Sequence, residues 1–366
     1  MKILSVFGTR PEAIKMAPVI AELNKHKGKL TSVVCVTAQH REMLDQVLSL
    51  FAIDPDYDLG IMQPNQSLAQ ITACALTKLD EVLQTENPDW VLVQGDTTTV
   101  MAAALAAFYH QIKVGHVEAG LRSFDKFQPF PEEINRKIAT SLSDLHFAPT
   151  EVSRQNLLRE GIAETQIVVT GNTVIDALLQ VAEMPFAWES SALAAIPRDK
   201  RIILVTAHRR ENFGAPFRNI CAALRAIAER YTDVHLVYPV HLNPNVQTIV
   251  YETLGNLRNV TLLAPLEYLP LVQLMKQAYF VITDSGGIQE EAPGLGKPVL
   301  VLREVTERPE GVAAGTVKLV GTDKEKITHE TSLLLDNQAE YEKMSQAVNP
   351  YGDGQASARI VSSLMT

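Results

Sequence analysis

Cysteine is scarce in this chain, with only Cys35, Cys74 and Cys221, far apart and set among apolar neighbours. An odd count with no C-x-x-C pair excludes a disulfide scaffold and a thiolate zinc site, and reads as buried free thiols. Aromatic residues are also thin at 6%, while 46% of the 366 residues are apolar, so the core must be built from Val, Ile, Leu and Ala. That composition suits parallel sheets covered by helices on both faces. No apolar run approaches about 18 residues, and Met1-Lys2 enters a short strand-like run instead of a signal h-region, so neither a membrane span nor a leader is expected. A soluble, cytoplasmic protein follows. With 33 basic against 42 acidic residues the net charge is −9, and no long basic run occurs, which argues against nucleic-acid or membrane-surface partners.

Several chemical signatures are missing too. There is no G-x-G-x-x-G after the first strand and no Walker loop, so nicotinamide and ATP chemistry lose their main support. No H-E-x-x-H motif or paired Cys cluster occurs, and His116, His146, His208, His235 and His241 lack ligand spacing, so neither a metal nor a cofactor is expected.

What is present is a rhythm of short apolar strands and helical stretches. Strands are expected at Ile3–Phe7, Ser32–Thr37, Trp90–Gln94, Lys113–Val117 and Leu145–Ala148, then at Ile202–Thr206, His235–Pro239, Val260–Leu263, Phe280–Thr283, Pro298–Leu302 and Val317–Val320. This βαβ alternation, repeated in each half, predicts an α/β protein with two Rossmann-like doubly wound domains facing across a cleft. A length of 366 residues also favours two domains over one core. The Pro-, Ala- and Ser-bearing interval Ala182–Lys200 is the least strand-like, which places the connection near or just before it. The expected division is 1–175, 176–348, and a final segment 349–366 whose helix would pack back on the first domain.

In open α/β sheets ligands sit beyond the carboxyl ends of strands, so the polar residues following each strand carry the functional argument. Phe280–Thr283 runs into Asp284-Ser285-Gly286-Gly287 and then a helix-favouring segment with Glu290 and Glu291. Backbone N–H groups at such a helix start can face an anion, the glycines admit close approach, and Ser285 adds a hydroxyl. An ordinary turn capped by Asp284 or Ser285 would have the same pattern. Arg10 and Lys15, at the helix start after the first strand, could neutralise a diphosphate. Asp96 and Glu118 follow strands expected to be neighbours, so two carboxylates would share one rim, where their titrations can be driven apart. Glu132 and Glu133 follow Pro131 at another helix start, a pattern that helix capping alone could explain. His208, followed by two arginines, could bind phosphate or move a proton, and Arg303, Glu307, Arg308 and Glu310 complete the rim.

The segments G-T-R-P-E-A-I-K-M-A-P at 8–18, T-A-Q-H-R-E-M-L-D-Q at 37–46, G-D-T-T-T at 95–99, H-V-E-A-G-L-R at 116–122, G-N-T-V-I-D at 171–176, D-S-G-G-I-Q-E-E-A-P at 284–293 and T-E-R-P-E at 306–310 together resemble the non-hydrolysing UDP-N-acetylglucosamine 2-epimerases. The resemblance runs along essentially the whole chain. It implies a GT-B-like fold, a cytoplasmic homodimer, and reversible conversion of UDP-GlcNAc to UDP-ManNAc for bacterial surface polysaccharides such as enterobacterial common antigen or capsule. It further implies that Arg10, Lys15, His208, Ser285, Gly286, Gly287, Glu291 and Arg308 contact UDP, with Glu291 on the ribose hydroxyls. Asp96, Glu118 and Glu132 would be the catalytic carboxylates, with Lys15 and His208 also affecting turnover.

The sequence departs from the family pattern in places. Leu266 and Leu271 stand where many relatives carry Gln and Phe near the nucleotide base, and Phe130 replaces a common Trp. Glu42 replaces a frequent Gln beside Gln39, where some relatives bind a second, activating UDP-GlcNAc, and a carboxylate there would weaken an anionic ligand. A hydrolysing epimerase, a GT-B glycosyltransferase and a non-catalytic UDP-sugar sensor are the alternative readings.

Overall fold

The structure is a computed structural model that describes residues 1–37, 41–63 and 65–366, apart from the side chains of Arg41 and Glu42. The chain divides into two compact units, Met1–Ala177 with Gly352–Thr366, and Leu178–Tyr351. Strands of the first are β1 (Lys2–Phe7), β2 (Thr31–Val36), β3 (Tyr57–Asp58), β4 (Trp90–Gln94), β5 (Lys113–Val117), β6 (Leu145–Ala148) and β7 (Ile167–Val169). Those of the second are β8 (Arg201–Thr206), β9 (Val234–Pro239), β10 (Val260–Leu263), β11 (Phe280–Thr283), β12 (Val299–Val301) and β13 (Val317–Leu319). The sheet orders are β3-β2-β1-β4-β5-β6-β7 and β10-β9-β8-β11-β12-β13. Every named pairing is parallel, so all strands of a sheet deliver the chain to the same edge.

Both faces of each sheet are buried, which is why the strands read as continuous apolar runs. In β8, Ile203 and Val205 enter one apolar cluster while Ile202 and Leu204 enter another on the opposite face. The period of two in strand side chains therefore feeds two cores at once. Helix Ala215–Arg230 supplies Phe217, Ile220, Leu224 and Ile227 to the first cluster, and helix Tyr268–Gln277 supplies Leu274 and Met275 to the second.

β3 and β7 were not foreseen, being only two and three residues long at the sheet edges. The interval Ala182–Lys200 forms no strand; its Trp188, Leu193 and Ile196 are buried in the second unit's core. Helix Ala356–Leu364 belongs to the first unit and packs on helix Arg10–Lys25. Asp176 fixes its start by accepting the N–H groups of Ala356 and Ser357 at 3.2 and 2.8 Å. No helix among the described residues is long and apolar enough to cross a membrane.

Two imidazoles sit inside the first sheet. His116 and His146 are paired in register between β5 and β6 and are at most 1% exposed. Burial pushes each pKa from 6.5 down to about 4, with the neighbouring imidazole and Arg122 adding to the effect at His146. Because the unfolded chain binds these protons more readily, their stabilisation is complete above pH 6.5 and is lost as pH falls towards 4. The loss is on the order of 3 kcal/mol for one ring. Urea titrations across this interval will show the unfolding midpoint falling, and replacing His146 by Gln will flatten the fall.

Candidate active site

The topological switch point of the first sheet lies between β1 and β4, where the connections depart in opposite directions. Helix Arg10–Lys25 begins after β1 with a capping box. Glu12, 2% exposed, accepts the N–H groups of Gly8 and Thr9 at 2.7 and 2.8 Å and the Thr97 hydroxyl at 2.5 Å. One buried carboxylate thus ties the loop after β1 to the loop after β4. Gly8 is needed there because a Cβ would run into the Thr37 hydroxyl and meet that of Thr99 at 2.9 Å. Arg10, half-buried, opens the helix at this edge.

Lys15 lies one turn further on and points back at the sheet. Its Nζ donates to both oxygens of Glu118, at 2.6 and 2.8 Å. It is no solvated helix charge, for its side chain is only 17% exposed. Glu118, at the end of β5, adopts the left-handed conformation with φ +66°, a backbone cost of roughly 1–2 kcal/mol for a residue with a Cβ. Its position is held by the turn that follows. Ala119 N–H donates to the Phe147 carbonyl at 3.0 Å, and Gly120, at φ +88°, sits so close to the Ser153 carbonyl that no Cβ fits. Strain of this kind persists where surrounding structure over-determines it, and it aims the carboxylate over the carboxyl edge. Gln94 and Asn172 donate further hydrogen bonds to Glu118, at 2.5 and 2.9 Å.

Asp96 and Glu118 do follow adjacent strands, as β4 and β5 pair with Gln94 opposite Val117. Asp96 is not a helix cap; Thr97 holds the N-cap position of helix Thr98–Tyr109. Arg136 binds the Asp96 carboxylate at 2.9 Å, and Asn135 donates to its carbonyl at 2.9 Å. Arg136 also pairs with Glu133 at 3.0 Å. Glu133 is fully buried and accepts the N–H groups of Ser123 and Phe124 at 3.1 and 3.2 Å, so it braces the loop before its own helix. Glu132 is half-buried and has no hydrogen-bond or ion-pair partner among the described residues. The two adjacent glutamates therefore separate into a brace and an available carboxylate.

The second unit repeats the plan at its own switch point, between β8 and β11. Thr206 and Thr283 stand opposite each other with their hydroxyls 2.6 Å apart. Asp284 is fully buried and caps no helix; its Oδ2 accepts the N–H groups of His208 and Arg209, both at 2.8 Å. The loop after β8 is thereby locked to the loop after β11. Ser285 occupies the N-cap position of helix Gly286–Gly294, yet its hydroxyl makes no capping bond. The first N–H groups of that helix and the Ser285 hydroxyl are donors of the kind that can face an anion. The Arg209 guanidinium lies beside it, 3.6 Å from where a Gly286 Cβ would stand.

The His208 ring is 42% exposed, lies 3.6 Å from Asp284 Oδ1 and stacks on His241 at 5.1 Å. Partial burial lowers its pKa, Asp284 opposes that, and His241 and Arg209 add to the lowering. Arg308 pairs with Glu290, while Glu291 accepts the Tyr268 hydroxyl at 2.8 Å. Thr306 joins the Arg308 segment to the helix, accepting Arg308 N–H and donating to Gln289 at 2.6 Å. Arg303 instead pairs with Glu211 at 2.7 Å.

Of the sequence candidates, Arg10, Lys15, Asp96, Glu118 and Glu132 thus gather at the edge of the first sheet. His208, Ser285, Gly286, Gly287, Glu291 and Arg308 gather at the edge of the second. Leu266 and Leu271 pack against an apolar cluster of the second unit, and Phe130 is 62% exposed. Gln39 and the side chain of Glu42 lie outside the described residues. Sequence reasoning missed Gln94, Asn172, Arg136 and Asp284. Asp284 gave a signal as a buried-strand terminus preceding the Ser-Gly-Gly turn, and Asn172 as a member of the G-N-T-V-I-D segment.

The family model for UDP-N-acetylglucosamine 2-epimerase matches residues 21–365. The UDP-N-acetylglucosamine 2-epimerase of Escherichia coli K12 is 59% identical over 370 residues, covering 100% of this chain and 98% of that protein. The crystal structure of UDP-GlcNAc 2-epimerase from Neisseria meningitidis bound to UDP-GlcNAc superposes with a TM-score of 0.89 at 54% identity, each chain covered completely. The Methanocaldococcus jannaschii enzyme in complex with UDP-GlcNAc and UDP gives 0.80 at 37% identity, covering 100% of this chain and 99% of that one. With its two Rossmann-like sheets and identity sustained over its full length, this chain belongs to the UDP-N-acetylglucosamine 2-epimerase family.

Proposed function

We propose that this enzyme interconverts UDP-GlcNAc and UDP-ManNAc by elimination and re-addition of UDP, through 2-acetamidoglucal. The observation that carries the reading is the carboxylate set Asp96, Glu118 and Glu132 at one sheet edge, in a chain whose second sheet presents an anion-binding turn. The hydrogen at C2 is not acidified by a neighbouring ketone, and the chain has no nicotinamide fingerprint with which to create one. Elimination solves this. The C2–H bond breaks with the proton passing to a carboxylate, its electron pair forms the C1–C2 double bond, and the C1–O bond breaks with its pair leaving on UDP. Re-addition of UDP with protonation at the opposite face of C2 gives the epimer.

In this reading Ser285, Gly286, Gly287 and Arg308 hold the departing diphosphate together with Arg10, Lys15 and His208, and Glu291, oriented by Tyr268, holds the ribose. His208, kept below its usual pKa by burial, takes up a proton as the diphosphate arrives. The acid and base roles belong to the carboxylate set before they belong to one residue. Phe130 would replace the family Trp as an apolar contact beside Glu132, and backbone groups would take over base recognition from Leu266 and Leu271. The family resemblance further supports a cytoplasmic homodimer that supplies ManNAc units for surface polysaccharides.

Proton NMR of the purified protein with UDP-GlcNAc in D2O, with no cofactor added, tests the reaction directly. UDP-ManNAc carrying deuterium at C2 is expected; free ManNAc with UDP would establish the hydrolysing alternative, and an unchanged spectrum would leave the transferase and sensor readings. Glu118→Gln is expected to keep UDP affinity in calorimetry while losing turnover by about 100-fold or more. Adjacent substitutions separate chemistry from support. Glu132→Gln lowers kcat with an unchanged melting temperature, whereas Glu133→Gln, which weakens a buried brace, destabilises the protein by about 2–4 kcal/mol.

A further inference from the structure

Asn172 lies in the G-N-T-V-I-D segment, for which the proposed reaction has so far given no role. The residue is 3% exposed and both ends of its amide are committed. Oδ1 accepts the Val174 N–H at 3.1 Å, at the start of helix Thr173–Ala182. That bond fixes which way the amide points, and Nδ2 donates to Glu118 Oε1 at 2.9 Å. Gln94, 2% exposed at the end of β4, donates to the other oxygen at 2.5 Å. Lys15 touches both oxygens. Each Glu118 oxygen therefore receives one amide and one ammonium contact, and all of these partners are donors. A carboxylate anion satisfies such a cradle, whereas a carboxylic acid would set its own O–H against a donor.

We propose that Gln94 and Asn172 are positioning residues that hold Glu118 as an anion, in the single orientation from which it exchanges a proton with the sugar. Their neutrality matters as much as their hydrogen bonds. Lys15 is in contact with Glu118 as a cation, and a further buried cation in place of either amide would add positive charge beside it whenever Glu118 took up a proton. Amide donors fix the carboxylate without adding to that charge. The inference rests on the epimerase reading, because it assigns the two amides a part in that reaction.

Asn172→Asp is the discriminating variant. An aspartate oxygen can still accept the Val174 N–H, so the helix start is kept, but the donor to Glu118 is lost and a negative charge takes its place. Gln94→Leu removes the other donor without adding charge. For Asn172→Asp we expect kcat to fall about tenfold or more, with KM and UDP affinity within about threefold of the parent, while the buried like-charge contact also lowers the melting temperature. The acid limb of log kcat against pH should move to higher pH, since the variant disfavours the anion. Among the described residues, Lys15 from helix Arg10–Lys25 contacts Glu118, His116 precedes it by two residues in β5, β4 contributes Gln94 and the 171–173 turn Asn172. Gln94→Leu should shift the limb in the same direction by less.

A readout without turnover accompanies these assays. In protein labelled with 13C at glutamate carboxyls, the Glu118 signal, assigned by its loss in Glu118→Gln, should titrate at higher pH in both variants. An unmoved acid limb and an unmoved carboxyl titration would overturn the proposal, as would a loss confined to UDP affinity or to melting temperature. If the parent makes no UDP-ManNAc, the epimerase reading fails, and the carboxyl titration still decides whether the two amides hold the Glu118 anion.

Discussion

A parallel sheet delivers every strand to the same edge, and that constraint governs this molecule. Each strand end must turn, and each turn exposes backbone groups and whatever side chain follows the last apolar residue. In the first unit the edge collects Glu12, Lys15, Gln94, Asp96, Glu118 and Asn172, and the physical problem becomes how to keep so many carboxylates together. The solution is pairing within hydrogen-bond reach: Lys15 on Glu118, Arg136 between Asp96 and Glu133, and backbone N–H groups on Glu12. Unpaired, any of these buried charges would cost several kcal/mol. The pairing that permits the fold also sets the geometry that the proposed chemistry would use.

The two units solve complementary problems with one topology. At the first switch point the edge is dominated by carboxylates, suited to moving protons. At the second it is dominated by donors: helix N–H groups, Ser285, Arg209 and Arg308, suited to an anion. Asp284 shows how the second edge is built. Its carboxylate is spent on the N–H groups of His208 and Arg209, so the charge that would repel a diphosphate is buried behind the loop that it positions.

Much of this was legible in the sequence because long strands with both faces buried leave continuous apolar runs, and because strand-end motifs such as D-S-G-G and E-A-G are compact. β3 and β7 were not legible, since two or three edge residues carry no periodicity. Gln94 and Asn172 were missed for a different reason. A neutral amide at the end of a strand reads as an ordinary turn residue, and only the distance to Glu118 shows its use. Glu132 and Glu133 carry the same side chain at adjacent positions, yet the hundred-degree step between helix neighbours buries one and leaves the other accessible. Arg136 was invisible until the helix placed it three residues after Glu133 and beside Asp96.

The partners of the three carboxylates also divide their labour in the proposed reaction. Protonating Glu118 breaks its contact with Lys15, and protonating Asp96 breaks its contact with Arg136, so for both the anion is the resting form that the surroundings support. Glu132 has no such partner among the described residues, and a proton placed on it disrupts no ion pair. An epimerisation needs one group ready to accept a proton from C2 and another ready to return one to the opposite face. Two cation-held anions supply a group ready to accept a proton, and a carboxyl outside any ion pair among the described residues supplies one that can give or take a proton without disturbing such a pair.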